Sequence, residues 1–340
     1  MVDNGLAGST ATGTAARRRA RATVVGAALG SCALLVASVT PAAAHGGEPG
    51  HGTGAGHGTA RGHGGGNGHG GSDGHGGHGG HGGGPARGPR YVALGDSYTS
   101  GPAIPPQADL GCARSARNYP SLVAGRKNAS AFADVSCGGA TTEQMWTAQG
   151  ANAPQLQALR RDTELVTLQI GGNDVGFGSI IATCAGLGVQ APAGDPCRSH
   201  YTASGTDQLA DAVAATAPKI ERVLRAVHAR SPHARVLVVG YPDLLPDDGI
   251  GCFPAVPFAA GDFPYLRDTE KRLNAMLRTV AVRNRAEYVD TYGPTVGHDM
   301  CKAPEDRWIE PLVPASPAAP AHPNATGEQA MATAVLHRLR

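Results

Sequence analysis

A serine able to act as a nucleophile stands at Ser97, in Gly95-Asp96-Ser97-Tyr98-Thr99-Ser100-Gly101, directly after the apolar run Tyr91-Val92-Ala93-Leu94. A hydroxyl presented where a strand ends is exposed to substrate, as an attacking oxygen must be. On its own the Gly-Asp-Ser tripeptide is better read as a capping turn, so the rest of the chain has to supply the partners of a nucleophile. Gln169-Ile170-Gly171-Gly172-Asn173-Asp174 ends a second apolar run, and there the side-chain amide of Asn173 is placed to donate to a developing oxyanion. Ser136-Cys137-Gly138-Gly139-Ala140 follows a third, with a glycine N–H as a further donor. A general base must come from His200, His228, His233, His298, His322 or His337. His228 and His233 flank a helix end, and His337 lies in the last turns of the terminal helix, where a cation suits the dipole. His200 and His298 stand in loops. His322 is the best placed, because Pro323-Asn324-Ala325-Thr326-Gly327 follows it and Asn324 or Thr326 can cap the last helix, giving the imidazole a fixed mount.

These residues need elements to carry them. Five strands are expected, at 90–95, 133–137, 165–170, 235–240 and 287–291. Helical patterns lie between them at 119–126, 155–161, 208–229 and 265–285, and a last helix at 325–339 carries Met331, Val335 and Leu339 on one stripe. Strands alternating with helices imply a parallel sheet covered on both faces, with its sites at the C-terminal strand ends where the polar motifs sit. Longer loops are expected at 182–206, 242–264 and 293–321, and Phe253, Phe258, Phe263 and Trp308 within them are candidates either for an apolar groove or for local packing.

The N-terminal quarter is of another kind. Arg17, Arg18, Arg19 and Arg21 precede an apolar run from Val24 to Val39 and then Ala42-Ala43-Ala44, the pattern of an export signal over 1–44. From 45 to 89 the chain is Gly and His, with His recurring every six residues from His45 to His81. Such a segment lacks the apolar side chains to form a core, so it reads as a solvated linker, with weak metal binding through its imidazoles as the second reading. Residues 90–340 remain for one α/β domain. The net charge of +2 and scattered Arg residues give no nucleic-acid footprint. Cys32 falls within the signal, and the six cysteines after it, an even number in an exported chain, are expected to form disulfides whose pairing the spacing alone does not choose.

Taken together, Gly95-Asp96-Ser97, Gly139, Gly172-Asn173-Asp174 and His322-Pro323 resemble the four ordered blocks of the SGNH (GDSL-type) hydrolases. The GDSYTSG start and the HPN-x-x-G end are most similar to the secreted actinobacterial lipase, esterase and phospholipase A1 branch. The resemblance implies a three-layer α/β/α fold with a flavodoxin-like five-stranded parallel sheet, and a cofactor-free, monomeric serine esterase or lipase acting on lipid or medium-chain acyl esters. It implies Ser97 as nucleophile, His322 as base, and Ser97 N–H, Gly139 N–H and the Asn173 amide as oxyanion hole. It also implies the disulfides Cys112–Cys137, Cys184–Cys197 and Cys252–Cys301. Most members place an Asp three residues before the His; Ala319 stands there, so its backbone carbonyl is expected to orient the ring, with Asp299, Asp306 or Glu310 folding back as the alternative. Phospholipase A1 or carbohydrate deacetylase activity at the same site, and transient contact with a lipid surface, are further expectations. The contrasting reading is an exported metal-binding protein that works through its His repeat and carries an inactive hydrolase-like domain.

Overall fold

A computed structural model describes residues 87–340, so the expected signal segment and the Gly/His-rich stretch up to residue 86 lie outside the described residues. The chain runs β1 (Gly88–Gly95), α1 (Ser97–Ser100), β2 (Gln107–Asp109), β3 (Arg114–Ser115), α2 (Tyr119–Arg126), β4 (Ala129–Asp134), β5 (Leu165–Gln169), α3 (Gly172–Val175), α4 (Phe177–Gln190), α5 (Pro196–Thr202), α6 (Gln208–Arg230), β6 (Arg235–Val239), α7 (Asp262–Arg283), β7 (Glu287–Val289) and α8 (Ala325–Arg338). The main sheet has the order β4-β1-β5-β6-β7, every pair parallel, while β2 and β3 form a separate antiparallel ribbon. This is the flavodoxin-like order, in which the chain reverses direction across the sheet beside β1.

Side-chain alternation along each strand divides the core in two. Val92, Leu94, Val166, Leu168, Val236 and Val238 point to the face covered by α4, α6 and α7, where Ile180, Val213, Ile220, Leu266 and Leu277 are buried. Tyr91, Ala93, Leu165, Leu237 and Val289 point to the other face, against Tyr119 and Val123 of α2 and Met331 and Val335 of α8. Both faces are therefore covered, giving the three-layer α/β/α fold that the sequence implied. α6 is amphipathic and begins at Asp207, whose carboxylate accepts from the N–H groups of Leu209 and Ala210 at 3.1 Å.

The elements depart from the sequence reading in several places, among them α7, which starts at Asp262 rather than 265, and β7, which ends at Val289 rather than 291. The second strand of the sheet covers Ala129–Asp134 rather than 133–137. It is a half-exposed edge strand, and residues 135–137 only continue its ladder through Val135 N to Ala93 O and Cys137 N to Gly95 O. The helix expected at 155–161 is a single 3-10 turn, Gln155–Ala158. There the Gln155 amide bonds both the N–H and the carbonyl of Gly95. The loop expected at 182–206 is mostly helical, as α4 and α5. Finally, β1 begins two residues before the expected 90.

α4 buries Ile180, Cys184 and Gly188 at i, i+4, i+8, and its close approach to the loop before α7 requires a glycine: a Cβ on Gly188 would lie 2.3 Å from Pro257 O. Gly186, two residues earlier, faces open space. Gly188→Ala should therefore destabilise the domain by about 1–3 kcal/mol, whereas Gly186→Ala should stabilise it by about 0.5–1 kcal/mol. Urea unfolding of the two variants checks this, and equal shifts would contradict the packing described.

Candidate active site

Because the sheet is parallel, its C-terminal strand ends gather β1, β4, β5 and β6 at one edge, and the motifs sit on the turns that leave them. Ser97 is the first residue of α1, and the carboxylate of Asp96, the N-cap, accepts from Tyr98 N–H at 3.0 Å. Ser97 is 8% exposed and lines a cavity at this edge. His322 lies across the edge, and its Nε2 stands 2.7 Å from Ser97 Oγ.

The other ring nitrogen decides the tautomer. Nδ1 of His322 is 2.7 Å from the carbonyl of Pro320, which can only accept, so Nδ1 carries the proton and Nε2 is left free to accept from Ser97. This corrects the expectation for Ala319. The Ala319 carbonyl closes a turn by accepting the backbone N–H of His322 at 3.2 Å, and Ala321 takes φ 59° within that turn. The next carbonyl, that of Pro320, is thereby turned toward the ring. Nor does a carboxylate fold back. Asp299 accepts from Cys301 N–H and pairs with Lys302, Asp306 is exposed at the surface, and Glu310 is occupied by Asn324, Arg307 and the amides of Ala315 and Ser316.

The imidazole is clamped by aromatic rings. Tyr98 stacks on it at 4.8 Å, Phe177 meets it edge-on at 5.8 Å, and Tyr98 Oη donates to Ala321 O at 2.6 Å, tying the base's loop to the residue after Ser97. Burial holds the His322 pKa below its usual value, partly offset by the Pro320 carbonyl. The ring is therefore a neutral acceptor at neutral pH.

Asn173 lines the same cavity as Ser97 and bonds the residue after Gly139. Gly139 adopts φ 76°, a left-handed conformation that favours glycine. Neither its N–H nor that of Ser97 bonds another described residue. Asn173 commits one amide hydrogen to Ala140 O at 2.9 Å and leaves the second free. Asp174 fixes the same loop through Thr142 N–H at 2.8 Å and Thr142 Oγ1 at 2.6 Å.

Two residues whose roles the sequence did not signal hold the turns in register. Tyr241, after β6, donates its hydroxyl to Asp96 Oδ2 at 2.5 Å and accepts from Gly172 N–H at 2.8 Å, joining the nucleophile turn to the Asn173 turn. Its own backbone is held at both N and O by the Asn274 amide. Burial raises the Asp96 carboxyl to about 7, against the lowering effect of the bonds from Tyr241 and Tyr98. Glu310 is the second. Burial works to raise its carboxyl, but the bonds from Asn324, Ala315, Ser316 and Arg307 outweigh this and keep it below the usual range.

An apolar cavity of about 90 Å³ opens beside Ser97 and runs between α4 and α7, lined by Ile180, Ile181, Leu244, Leu266, Leu273 and Met300 among others. The loop aromatics do not form it. Phe258 and Phe263 are buried against each other, Phe253 is 42% exposed, and Trp308 stacks on His298 at 3.5 Å. The remaining histidines stand apart: His200 is exposed in α5, His228 bonds Asn284 O, His233 is exposed, and His337 lies in the last turn of α8. The six described cysteines are joined as Cys112–Cys137, Cys184–Cys197 and Cys252–Cys301, the second pair tying α4 to α5.

Residues 93–330 match the profile of the GDSL-like lipase/acylhydrolase family. Lipase 2 of Streptomyces coelicolor is 45% identical over 248 residues, covering 71% of this chain and 83% of the relative. An esterase of Streptomyces scabiei is 31% identical, covering 73% and 85%. Among solved structures, phospholipase A1 of Streptomyces albidoflavus aligns with a TM-score of 0.63 at 27% identity, covering 74% of this chain and 99% of that one. The extracellular lipase of Streptomyces rimosus gives 0.62 at 25% identity, covering 74% and 100%.

Asn324 carries much of the His322 mount: it caps α8 through Thr326 and Gly327 N–H and donates to Arg307 O and Glu310. Asn324→Ala should cost at least about 2 kcal/mol in urea unfolding, from the lost cap and the stranded Glu310 oxygen. A loss below about 0.5 kcal/mol, the level of an ordinary surface change, would show that the mount does not depend on this residue.

Proposed function

The chain belongs to the GDSL-like lipase/acylhydrolase family and is a carboxylic ester hydrolase; from that premise we propose that Ser97 and His322 hydrolyse the ester as a dyad. Ser97 Oγ attacks the acyl carbonyl as Nε2 of His322 takes its proton. The oxyanion then accepts from Ser97 N–H, Gly139 N–H and the free hydrogen of the Asn173 amide. Collapse expels the alcohol, which leaves with the proton from His322, and an acyl-enzyme remains on Ser97. Water deprotonated by His322 attacks that ester, and the second collapse returns Ser97 and releases the acid. The Pro320 carbonyl orients the ring throughout, stabilising imidazolium by a dipole rather than a full charge. The observation that carries this reading is the 2.7 Å contact of His322 Nε2 with Ser97 Oγ, with Nδ1 already committed to Pro320.

The aliphatic cavity beside Ser97 favours an alkyl chain over an acetyl group, and so lipid or medium-chain acyl esters over acetylated sugars. Cleavage of a phospholipid acyl ester at the same serine is a second reading, supported by the likeness to the phospholipase A1 structure. Export is supported by the signal pattern over 1–44 and by the three disulfides, which persist in oxidising compartments. The His repeat is best read as a linker, a reading supported by the presence of Ser97, Gly139, Asn173 and His322 together in the hydrolase domain.

On a chromogenic medium-chain ester, Ser97→Ala should abolish turnover, and Asn173→Ala should lower kcat roughly a hundredfold, about 3 kcal/mol of transition-state stabilisation. Tyr241→Phe leaves Gly172 N–H and Asp96 each short of a partner and should lower kcat about tenfold with little change in KM. Unchanged turnover by Ser97→Ala would remove the mechanism; a Tyr241→Phe effect confined to KM would remove the bracing role.

A further inference from the structure

The cavity wall contains one carboxyl with no part in the chemistry above. α7 presents Leu266, Thr269, Glu270 and Leu273 to the cavity, the i, i+3, i+4, i+7 face of a helix. Thr269 Oγ1 is satisfied by Tyr265 O at 2.9 Å. Glu270 is only half satisfied: Oε2 accepts from Leu244 N–H at 3.3 Å, and Oε1 is buried with no partner among the described residues. Lys271, its neighbour in the helix, is turned away onto Asp247. Burial and the nearby Asp243 push the Glu270 carboxyl well above its usual range, which favours its protonated form, and that form can donate as well as accept. A buried polar atom left unpaired costs free energy unless something bonds it, and Glu270 is one of the residues that line the cavity beside Ser97.

We propose that Glu270 is a specificity-determining residue that hydrogen-bonds an oxygen function, a hydroxyl foremost, on the acyl chain, making hydroxyacyl esters the preferred substrate class. The surrounding Leu and Met side chains hold the methylenes on either side of that oxygen, and Glu270 supplies a polar contact in a mostly apolar wall. This rests on the reading that Ser97 is the nucleophile and that the cavity beside it takes the acyl group.

The test is a panel of chromogenic medium-chain esters that differ only in the carbon bearing a hydroxyl, each compared with the unsubstituted ester. Wild-type enzyme should favour one positional isomer over the unsubstituted ester by on the order of tenfold in kcat/KM, the discrimination a single neutral hydrogen bond supplies. Glu270→Gln, whose amide still donates and accepts, should keep that ratio; Glu270→Leu should bring it to about one. Because the reading is a ratio between substrates within each variant, a general loss of activity or of folded protein cancels. No favoured isomer in the wild type, or a preference that survives in Glu270→Leu, would overturn the proposal and leave Oε1 bonded to a buried water only. Turnover of the unsubstituted ester that Ser97→Ala abolishes shows that the underlying mechanism stands even if this preference is absent.

Discussion

The 2.7 Å hydrogen bond between Ser97 and His322 joins two turns that are 225 residues apart in the chain, and the surrounding structure serves to keep those turns in register. Neither turn is held by its own helix alone. α1 is four residues long, too short to fix a side chain by itself. The register comes instead from bonds between turns: Tyr98 to the Ala321 carbonyl, Tyr241 between Asp96 and Gly172, and Gln155 on both polar groups of Gly95. The Tyr241 bridge links the ends of β1, β5 and β6, which the parallel sheet places side by side, while the other two tie flanking loops to the end of β1. The fold thus converts sheet order directly into catalytic geometry.

An uncharged partner for the base follows from the same local packing. The turn from Ala319 to His322 uses the Ala319 carbonyl internally and leaves that of Pro320 facing Nδ1. Carboxylates that might have served are committed to the scaffold, most clearly Glu310, which anchors the Asn324 cap on which the loop stands. Stacking by Tyr98 and Phe177 then fixes the ring plane. The arrangement gives up the stabilisation of a full negative charge behind imidazolium and gains a base whose neutrality is set by burial.

What the sequence disclosed was local. Gly95-Asp96-Ser97, Gly172-Asn173-Asp174 and His322-Pro323-Asn324 each pair a chemical group with the glycine or cap that presents it, so each could be found within a few residues. The alternation of β-branched runs and amphipathic stretches was enough for the doubly covered parallel sheet. Features that depend on distant partners left no such trace. Nothing in Gly240-Tyr241-Pro242 announces a phenol that bridges two other turns. The helical character of α4 was hidden by Gly178, Gly186 and Gly188, poor helix formers retained in a helix that packs tightly through one of them. The loop phenylalanines were the conspicuous apolar candidates, yet two fill the core and the cavity is lined largely by residues of α4 and α7, with Leu244, Leu245 and Met300 from the loops, which the sequence does not single out.

The central claim, that His322 is a neutral base oriented by a carbonyl and perturbed by burial rather than by a charge, is tested most directly by following its ring nitrogens by NMR across pH in the resting enzyme. Nδ1 should be protonated and Nε2 unprotonated at neutral pH, and the midpoint for protonating Nε2 should fall below the ordinary imidazole value of about 6.5, because burial disfavours the cation. A midpoint above that value, as a buried carboxylate beside Nδ1 would produce, or the opposite tautomer at neutral pH, would contradict it.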